Sequence, residues 1–407
     1  MHKLSFNLFT AAVIFATSAV ANAAVHRVFP GESIQAAINA ASRGDTILVE
    51  PGEYMEDPTS RYGLRITTDQ LRLIGKTRAA EDGTTERVHL IANGDQETGV
   101  LAAPAGCEYD MNAEECAEAM GGEIVDLEGF YIRGFVVDGF PVNGIQTRWV
   151  DGFEFSNNES ANNLNNGLYP TLSANGLVRN NVSYGSLDTA MWVAGSENVR
   201  VMGNVLRDSV IGFEITVSND VKVKYNEIYG NTVGVGLFHP NAAGNPPLPE
   251  MKNWVIQQND IHSNNGSPVP PPEGSFQEGL PAGVGVLLLG VSDSVVSKNI
   301  VENNDFVGIG ILGWCTAVAT GDPSRNCEND PPISDPAANN NLVAANEVYD
   351  NALNPSMPDL EFLAADLTYF DFSDGSTGNC FKRNNRPPND YTFVSSEPDG
   401  ELPTDGC

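Results

Sequence analysis

The chain is poor in positive charge. It carries 22 Lys and Arg against 53 Asp and Glu, for a formal net charge of −31 over 407 residues. Such acidity argues against nucleic acid and anionic membrane surfaces as partners. Histidine is scarce, five in all and scattered, and no Cys-x-x-Cys occurs, so no zinc or copper site is legible. Long apolar runs are missing but for one, residues 8–20. That run is too short to span a bilayer. It follows Lys3 and precedes Ala21-Asn22-Ala23, so residues 1–23 read as a signal peptide and the protein as exported, periplasmic or extracellular, with no membrane insertion. Helical stripes are also absent from the centre of the chain, which excludes a helix bundle there.

What is present is a repeat. Three segments end on an asparagine in equivalent positions: Asn181, Asn204 and Asn226, at intervals of 23 and 22. The same asparagine stands at Asn158 upstream and at Asn259, Asn299 and Asn346 downstream. The later intervals, 33, 40 and 47, are lengthened by inserts at about 240–252, 266–281 and 315–339. A period of 20 to 25 residues marks a solenoid, and inserts map to its loops. Within each coil the apolar residues alternate: Phe213, Ile215 and Val217 on one face, Glu214 and Thr216 on the other. Period two means strands with one buried face. The coils are therefore expected to stack as a parallel β-helix, an all-β solenoid of about nine to eleven coils. The asparagines are expected to form an inward ladder of amides, Asn also tolerating the left-handed conformation of a tight turn. A second polar file follows five residues later: Asn163, Ser186, Ser209, Asn231, Asn264, Asn304 and Asn351. A leucine-rich solenoid would need Leu-rich coils and a helix per repeat, whereas Val, Ile, Gly and Asn dominate here.

These coils resemble the right-handed parallel β-helix of the pectin-lyase-like superfamily, with carbohydrate-binding and sugar-hydrolase type repeats. The segment Gly-Leu-Tyr-Pro-Thr-Leu-Ser-Ala-Asn-Gly-Leu-Val-Arg-Asn-Asn from Gly167 is similar to an exported bacterial subgroup. The run from Gly31-Glu32-Ser33-Ile34-Gln35 to Pro51-Gly52-Glu53-Tyr54 resembles the opening of many such proteins. The resemblance implies an N-terminal helical cap at 24–60, a β-helix at 61–352 and a C-terminal cap with a tail at 353–407. Six cysteines in an exported chain invite disulfides, and nearest neighbours are Cys107 with Cys116, Cys315 with Cys327, and Cys380 with Cys407.

A β-helix presents outward residues as files, one per coil, about 4.8 Å apart. One file reads Tyr169, Trp192, Glu214, Gly236, with Gly285 and Gly310 as its expected continuation. Aromatics beside a glycine floor would make a groove for a polymer, walled by the inserts. Tyr and Trp also cover sheets simply as good strand formers. The neighbouring strand carries Arg179, Arg200, Lys222 and Lys224, a local basic strip suited to an acidic polysaccharide or to pairing with acids of adjacent coils.

Uronate lyases need a neutralised carboxylate, by a cation or Ca²⁺, and a proton acceptor such as Arg, Lys, Tyr or His. Tyr169, Arg179, Arg200, Glu214 and Lys224 are the candidate catalytic residues, with Trp192, Asp188, Lys222 and His239 as candidate substrate contacts. The many carboxylates leave Ca²⁺ open as a cofactor. Glycosidases need two carboxylates about 5 to 10 Å apart. Asp188, Asp208 and Glu214 have the right chemistry, but Asp188 and Glu214 count as roughly 13 Å apart along the strand. The polygalacturonase signatures and the Asp-Pro-His of alginate epimerases are absent, and Phe238-His239-Pro240 resembles the latter only superficially. The sequence thus points to an exported, monomeric protein acting on a polysaccharide by β-elimination. The alternatives are a non-catalytic carbohydrate-binding or scaffold protein of the same fold and, more remotely, a periplasmic metal-maturation helper.

Overall fold

The computed structural model describes residues 23–80, 82–238, 251–321, 327, 335–372, 374–384, 392–404 and 406–407. The expected signal peptide, save residue 23, and His239 lie outside the described residues.

Strand-forming alternation and a turn every few residues coil the chain into three long sheets. Sheet 1 has 12 strands, sheet 2 has 10 and sheet 3 has 11, and every pairing within them is parallel. Successive coils add one strand to each sheet. In the central region sheet 1 holds Ala174–Arg179, Glu197–Met202 and Lys222–Lys224. Sheet 2 holds Val182–Tyr184, Val205–Arg207 and Glu227–Tyr229. Sheet 3 holds Asn166–Thr171, Thr189–Ala194, Ile211–Thr216 and Val233–Phe238. This is a right-handed parallel β-helix, with one continuous apolar interior running from Val28 to Phe381. Ser33 caps the helix Ile34–Ala40, its hydroxyl accepting from the Ala36 amide, and Ile34 and Ile38 are buried against the first coil. Strands Ala365–Phe370 and Cys380–Lys382 continue sheets 3 and 1, so the stack runs on past residue 353.

The asparagine ladder is continuous. Asn181, Asn204, Asn226, Asn259, Asn299 and Asn346 are all buried, and each donates its amide Nδ2 to the Oδ1 of the next, the last to Asn384. Asn158 starts the file by donating to Asn181. The left-handed residue is not the ladder asparagine but the one before it: Asn180 (φ 54°), Tyr225 (φ 59°), Gln258 (φ 58°) and Lys298 (φ 58°). That residue turns the chain so that the following amide points inward.

Two details depart from the simple alternation. Val217 (φ 47°) leaves the inward face and is half-exposed, because the strand ends at Thr216 and the turn hands the interior to Ser218. Gly212 breaks the strand's period. A Cβ there would lie 2.6 Å from Ile228 Cγ2 and 2.7 Å from Asn231 Nδ2, both interior. Phe213 also points inward, into the core. Two successive inward positions place Ile211 and Glu214 on the outer face with a spacing of three rather than two or four.

All three nearest-neighbour disulfides are present: Cys107–Cys116, Cys315–Cys327 and Cys380–Cys407. The first closes a loop over the early part of sheet 3, where Tyr62, Leu101 and Trp149 pack with the two cysteines. No helix among the described residues is long and apolar enough to cross a membrane.

Candidate functional site

The outer face of sheet 3 gathers the chemistry. Tyr169 and Trp192 stack in successive coils, with ring centroids 4.8 Å apart and planes 11° from parallel. Both side chains are half-buried. Trp192 Nε1 donates to Thr216 Oγ1 at 3.0 Å, which fixes the ring's tilt. Glu214 is the partner of Trp192 in the next coil, and Gly236 follows it.

Beyond that point the expected file is corrected. Gly236 pairs with Leu287, not Gly285, and Leu287 pairs with Gly310. The floor is not a bare glycine surface either. A Cβ on Gly236 would meet the Phe238 ring at 2.4 Å, so the end of that ring covers it. Gly285 sits two residues away, in the file of inward-pointing glycines, where the backbone carbonyl of Gly308 leaves no room for a side chain.

The larger correction concerns the carboxylates. Asp188 and Glu214 are 8% and 6% exposed. The Thr189 hydroxyl lies 3.1 Å from Asp188 Oδ1 and 2.9 Å from Glu214 Oε2. The two carboxyl oxygens are thus at most 6.0 Å apart. Counting strand positions put them roughly 13 Å apart. The count fails because it measures backbone positions, whereas both side chains reach toward the Thr189 hydroxyl that stands between them.

A hydroxyl has one proton to give. Thr189 therefore satisfies both carboxyls only if it donates to one and accepts from the other, which must be protonated. Asp188 Oδ1 also accepts from Gln277 Nε2, in the insert at 266–281, so Asp188 is the better placed to be ionised. The acidities agree. Burial pushes Asp188 up to about 6. Burial, with the Asp188 charge beside it, pushes Glu214 well above the usual carboxylate range. Burial also raises the Tyr169 phenol to about 12, so it stays protonated at neutral pH.

Arg148, which the sequence reading passed over, belongs to the same face. It pairs in register with Thr171, one coil before Ala194 and two before Thr216. Its guanidinium lies over the Trp149 ring, 4.5 Å from the centroid, and donates to the Met111 carbonyl. Its Nε is buried with no partner, and no carboxylate among the described residues lies within ion-pair distance. Burial lowers its pKa, partly offset by the neighbouring Tyr169. The signal was in the sequence: counting 23 back from Thr171 reaches Arg148. The irregular early coils hid it.

The basic strip lies elsewhere. Arg179, Arg200, Lys222 and Lys224 are on sheet 1, apart from Tyr169 and Glu214. They form two files, Arg200 with Lys222 and Arg179 with Lys224 through Met202, because the pleat alternates. Arg179 is paired with Glu154 at 2.8 Å. Asp208 ends a turn beyond sheet 2, paired with Arg207. Among the described residues no three His, Cys, Asp or Glu side chains gather to hold a metal ion.

Comparison with known proteins adds fold. A family model described as "Right handed beta helix region" matches residues 132–246. No curated protein matches the sequence. Among solved structures, the chain is similar to the A-module of the Azotobacter vinelandii mannuronan C-5 epimerase AlgE6, with a TM-score of 0.59 and 16% identity, covering 89% of this chain and 82% of that one. It is also similar to DFA-IIIase from Arthrobacter chlorophenolicus A6, with a TM-score of 0.52 and 13% identity over 94% and 86% of the two chains. The Dettilon tailspike protein aligns at a TM-score of 0.50 and 15% identity, covering 92% of this chain and 69% of that one.

Proposed function

We propose that the protein is an exported enzyme that cleaves a polysaccharide, with Asp188 and Glu214 as its proton-transfer pair. The observation that carries this is the shared Thr189 hydroxyl between two buried carboxyls of unequal acidity. Pairs of titratable groups driven apart in pKa mark acid and base roles. Glu214, protonated, gives its proton to the glycosidic oxygen as the bond to the sugar breaks. Asp188, ionised above about pH 6, takes the developing positive charge at the sugar carbon or the proton of an attacking water. Glycosidases that retain configuration hold their carboxyls about 5 to 5.5 Å apart, within the limit set by Thr189. The Tyr169–Trp192 stack beside the pair is a platform for sugar faces. A mannuronan epimerase shares the fold, and a polysaccharide is the substrate class its name carries.

One observation favours a second reading, β-elimination from a uronate polymer. Arg148 keeps a buried, unpartnered Nε beside Tyr169 in a chain with more than twice as many acids as bases. A substrate carboxylate would satisfy it, ionised Asp188 would take the proton beside that carboxylate as the double bond forms, and the phenol would protonate the oxygen that leaves.

The two readings separate on product. The mature chain is incubated with a panel including alginate, pectate and neutral glycans. New reducing ends without ultraviolet absorbance support hydrolysis, and an absorbing unsaturated product supports elimination. Asp188→Asn and Glu214→Gln should each lower kcat by about 10² or more. Unimpaired turnover in both variants, or no new ends across the panel, would sink the proposal.

A further inference from the structure

The C-terminal half of the same sheet face is partly covered, and beneath the cover lies a half-open cavity of about 320 Å³. Its floor is Val284, Leu287, Leu289 and Leu312 of sheet 3. Its walls are Phe276 from the insert at 266–281, Phe306, Trp314 from the helix Trp314–Gly321, and Leu363. All but Phe276, which is half-exposed, belong to an apolar cluster of their own outside the solenoid interior. Three hydroxyls reach the lining. Two are spent on backbone: Thr368 donates to the Leu363 carbonyl and Thr320 to that of Thr316. The third, Ser275 Oγ, is buried and has no partner.

That inventory suits a sugar ring poorly. A sugar brings several hydroxyls, and a single free protein hydroxyl cannot satisfy them, while buried polar groups left unpaired are costly. It suits an apolar group with one polar atom at its end. A cavity about half this size already accepts benzene.

The cavity adjoins the carboxylate pair. Leu287 lies two coils beyond Glu214 in one outward file, roughly 10 Å along the sheet. Ser275, Phe276 and Gln277 are consecutive: the first offers the free hydroxyl, the second lines the cavity, and the third donates to Asp188. Between cavity and carboxylates lie two rings, Phe238 over Gly236 and the half-exposed Phe276 packed against it at 5.4 Å.

Resting on the proposed sugar-cleaving site, we infer that this cavity is a subsite for an apolar substituent carried by the substrate, an aryl or medium-length alkyl or acyl group joined to the sugar through an oxygen that Ser275 recognises. The linking oxygen accepts from Ser275, the apolar group fills the cavity, and the sugar reaches toward Asp188 and Glu214.

Gly310 provides the test. A Cβ there would point among Val307 Cγ1 at 3.3 Å, Leu312 Cδ1 at 3.5 Å and Leu287 Cδ1 at 3.6 Å, so a larger side chain grows into the cavity. The mature protein and Gly310→Leu are titrated calorimetrically with octyl glucoside below its micellar concentration, with methyl glucoside and with 1-octanol. The expected result is octyl glucoside binding at least tenfold tighter than either of the others and a tenfold or greater loss in Gly310→Leu, measured on a variant that still unfolds cooperatively. Ser275→Ala should weaken octyl glucoside more than 1-octanol. No binding of either octyl compound, or binding indifferent to Gly310→Leu, overturns the subsite. Octanol binding as tightly as octyl glucoside overturns its link to the sugar. None of these readouts needs turnover, so failure of the cleavage reading is seen separately, in the Asp188 and Glu214 variants.

Discussion

Asp188 and Glu214 belong to successive coils, 26 residues apart in the chain, yet one hydroxyl, that of Thr189, lies within 3.1 Å of both. The arrangement holds one proton between two carboxyls, inside a sheet face closed by Gln277.

This pair should set a pH dependence of stability with a definite sign. Asp188 titrates at about 6 when folded against an ordinary 3.8, so the folded state holds its proton more tightly. Its contribution is therefore favourable below about pH 4 and is lost as pH rises through 6. At about 1.4 kcal/mol per pKa unit, the loss approaches 3 kcal/mol. Thermal melts from pH 4 to 8 should show Asp188→Asn free of that decline. Parallel curves for parent and variant would mean that Asp188 is not held this way.

Gln277 stabilises the ionised form of Asp188 through its amide. Gln277→Leu removes that donor and should move the acidic limb of the rate profile upward by roughly half to one pH unit. An unmoved limb, in an otherwise active variant, would show that the limb belongs to another group.

Trp192→Ala should raise KM about tenfold or more on a polymeric substrate while leaving kcat within a few-fold. A stacked aromatic contributes about 0.5–1.5 kcal/mol beyond its buried area. A loss confined to kcat would place Trp192 in the proton-transfer step instead of the platform.

Asn204 makes its ladder bonds on both sides, accepting from Asn181 and donating to Asn226 and the Val178 carbonyl. Asn204→Leu strands those groups at about 1–3 kcal/mol each. Exposed Lys222→Ala should change stability within about half a kcal/mol. Equal melting temperatures for the two would contradict a buried ladder.

The Cys380–Cys407 bridge closes a span of 27 residues over the last coil. Replacing both cysteines by serine should cost about 3 to 4 kcal/mol if the loss is mainly loop-closure entropy. Denaturant titration checks the figure, and a change below about 1 kcal/mol would mean that the end of the solenoid holds without it.

The sequence by itself determined the solenoid, its asparagine ladder and the partners of its cysteines. Each rests on local or strictly periodic information. A strand's two faces follow from alternation, a coil from the interval between Asn181 and Asn204, and a short-loop disulfide from its nearest neighbour. The Tyr169, Trp192, Glu214 file was legible for the same reason, since the period is regular there. Tertiary structure alone decided the rest. Glu214 and Asp188 both reach the Thr189 hydroxyl, although the strand separates their backbone positions. No count along the strand contains this meeting. Arg148 stood in the register of Thr171, hidden only by the irregular early coils, whereas Gln277 reaches Asp188 from an insert 89 residues on. Inserts carry no period, so where they fold back, and what they cover, is set by packing on the sheet rather than by the repeat.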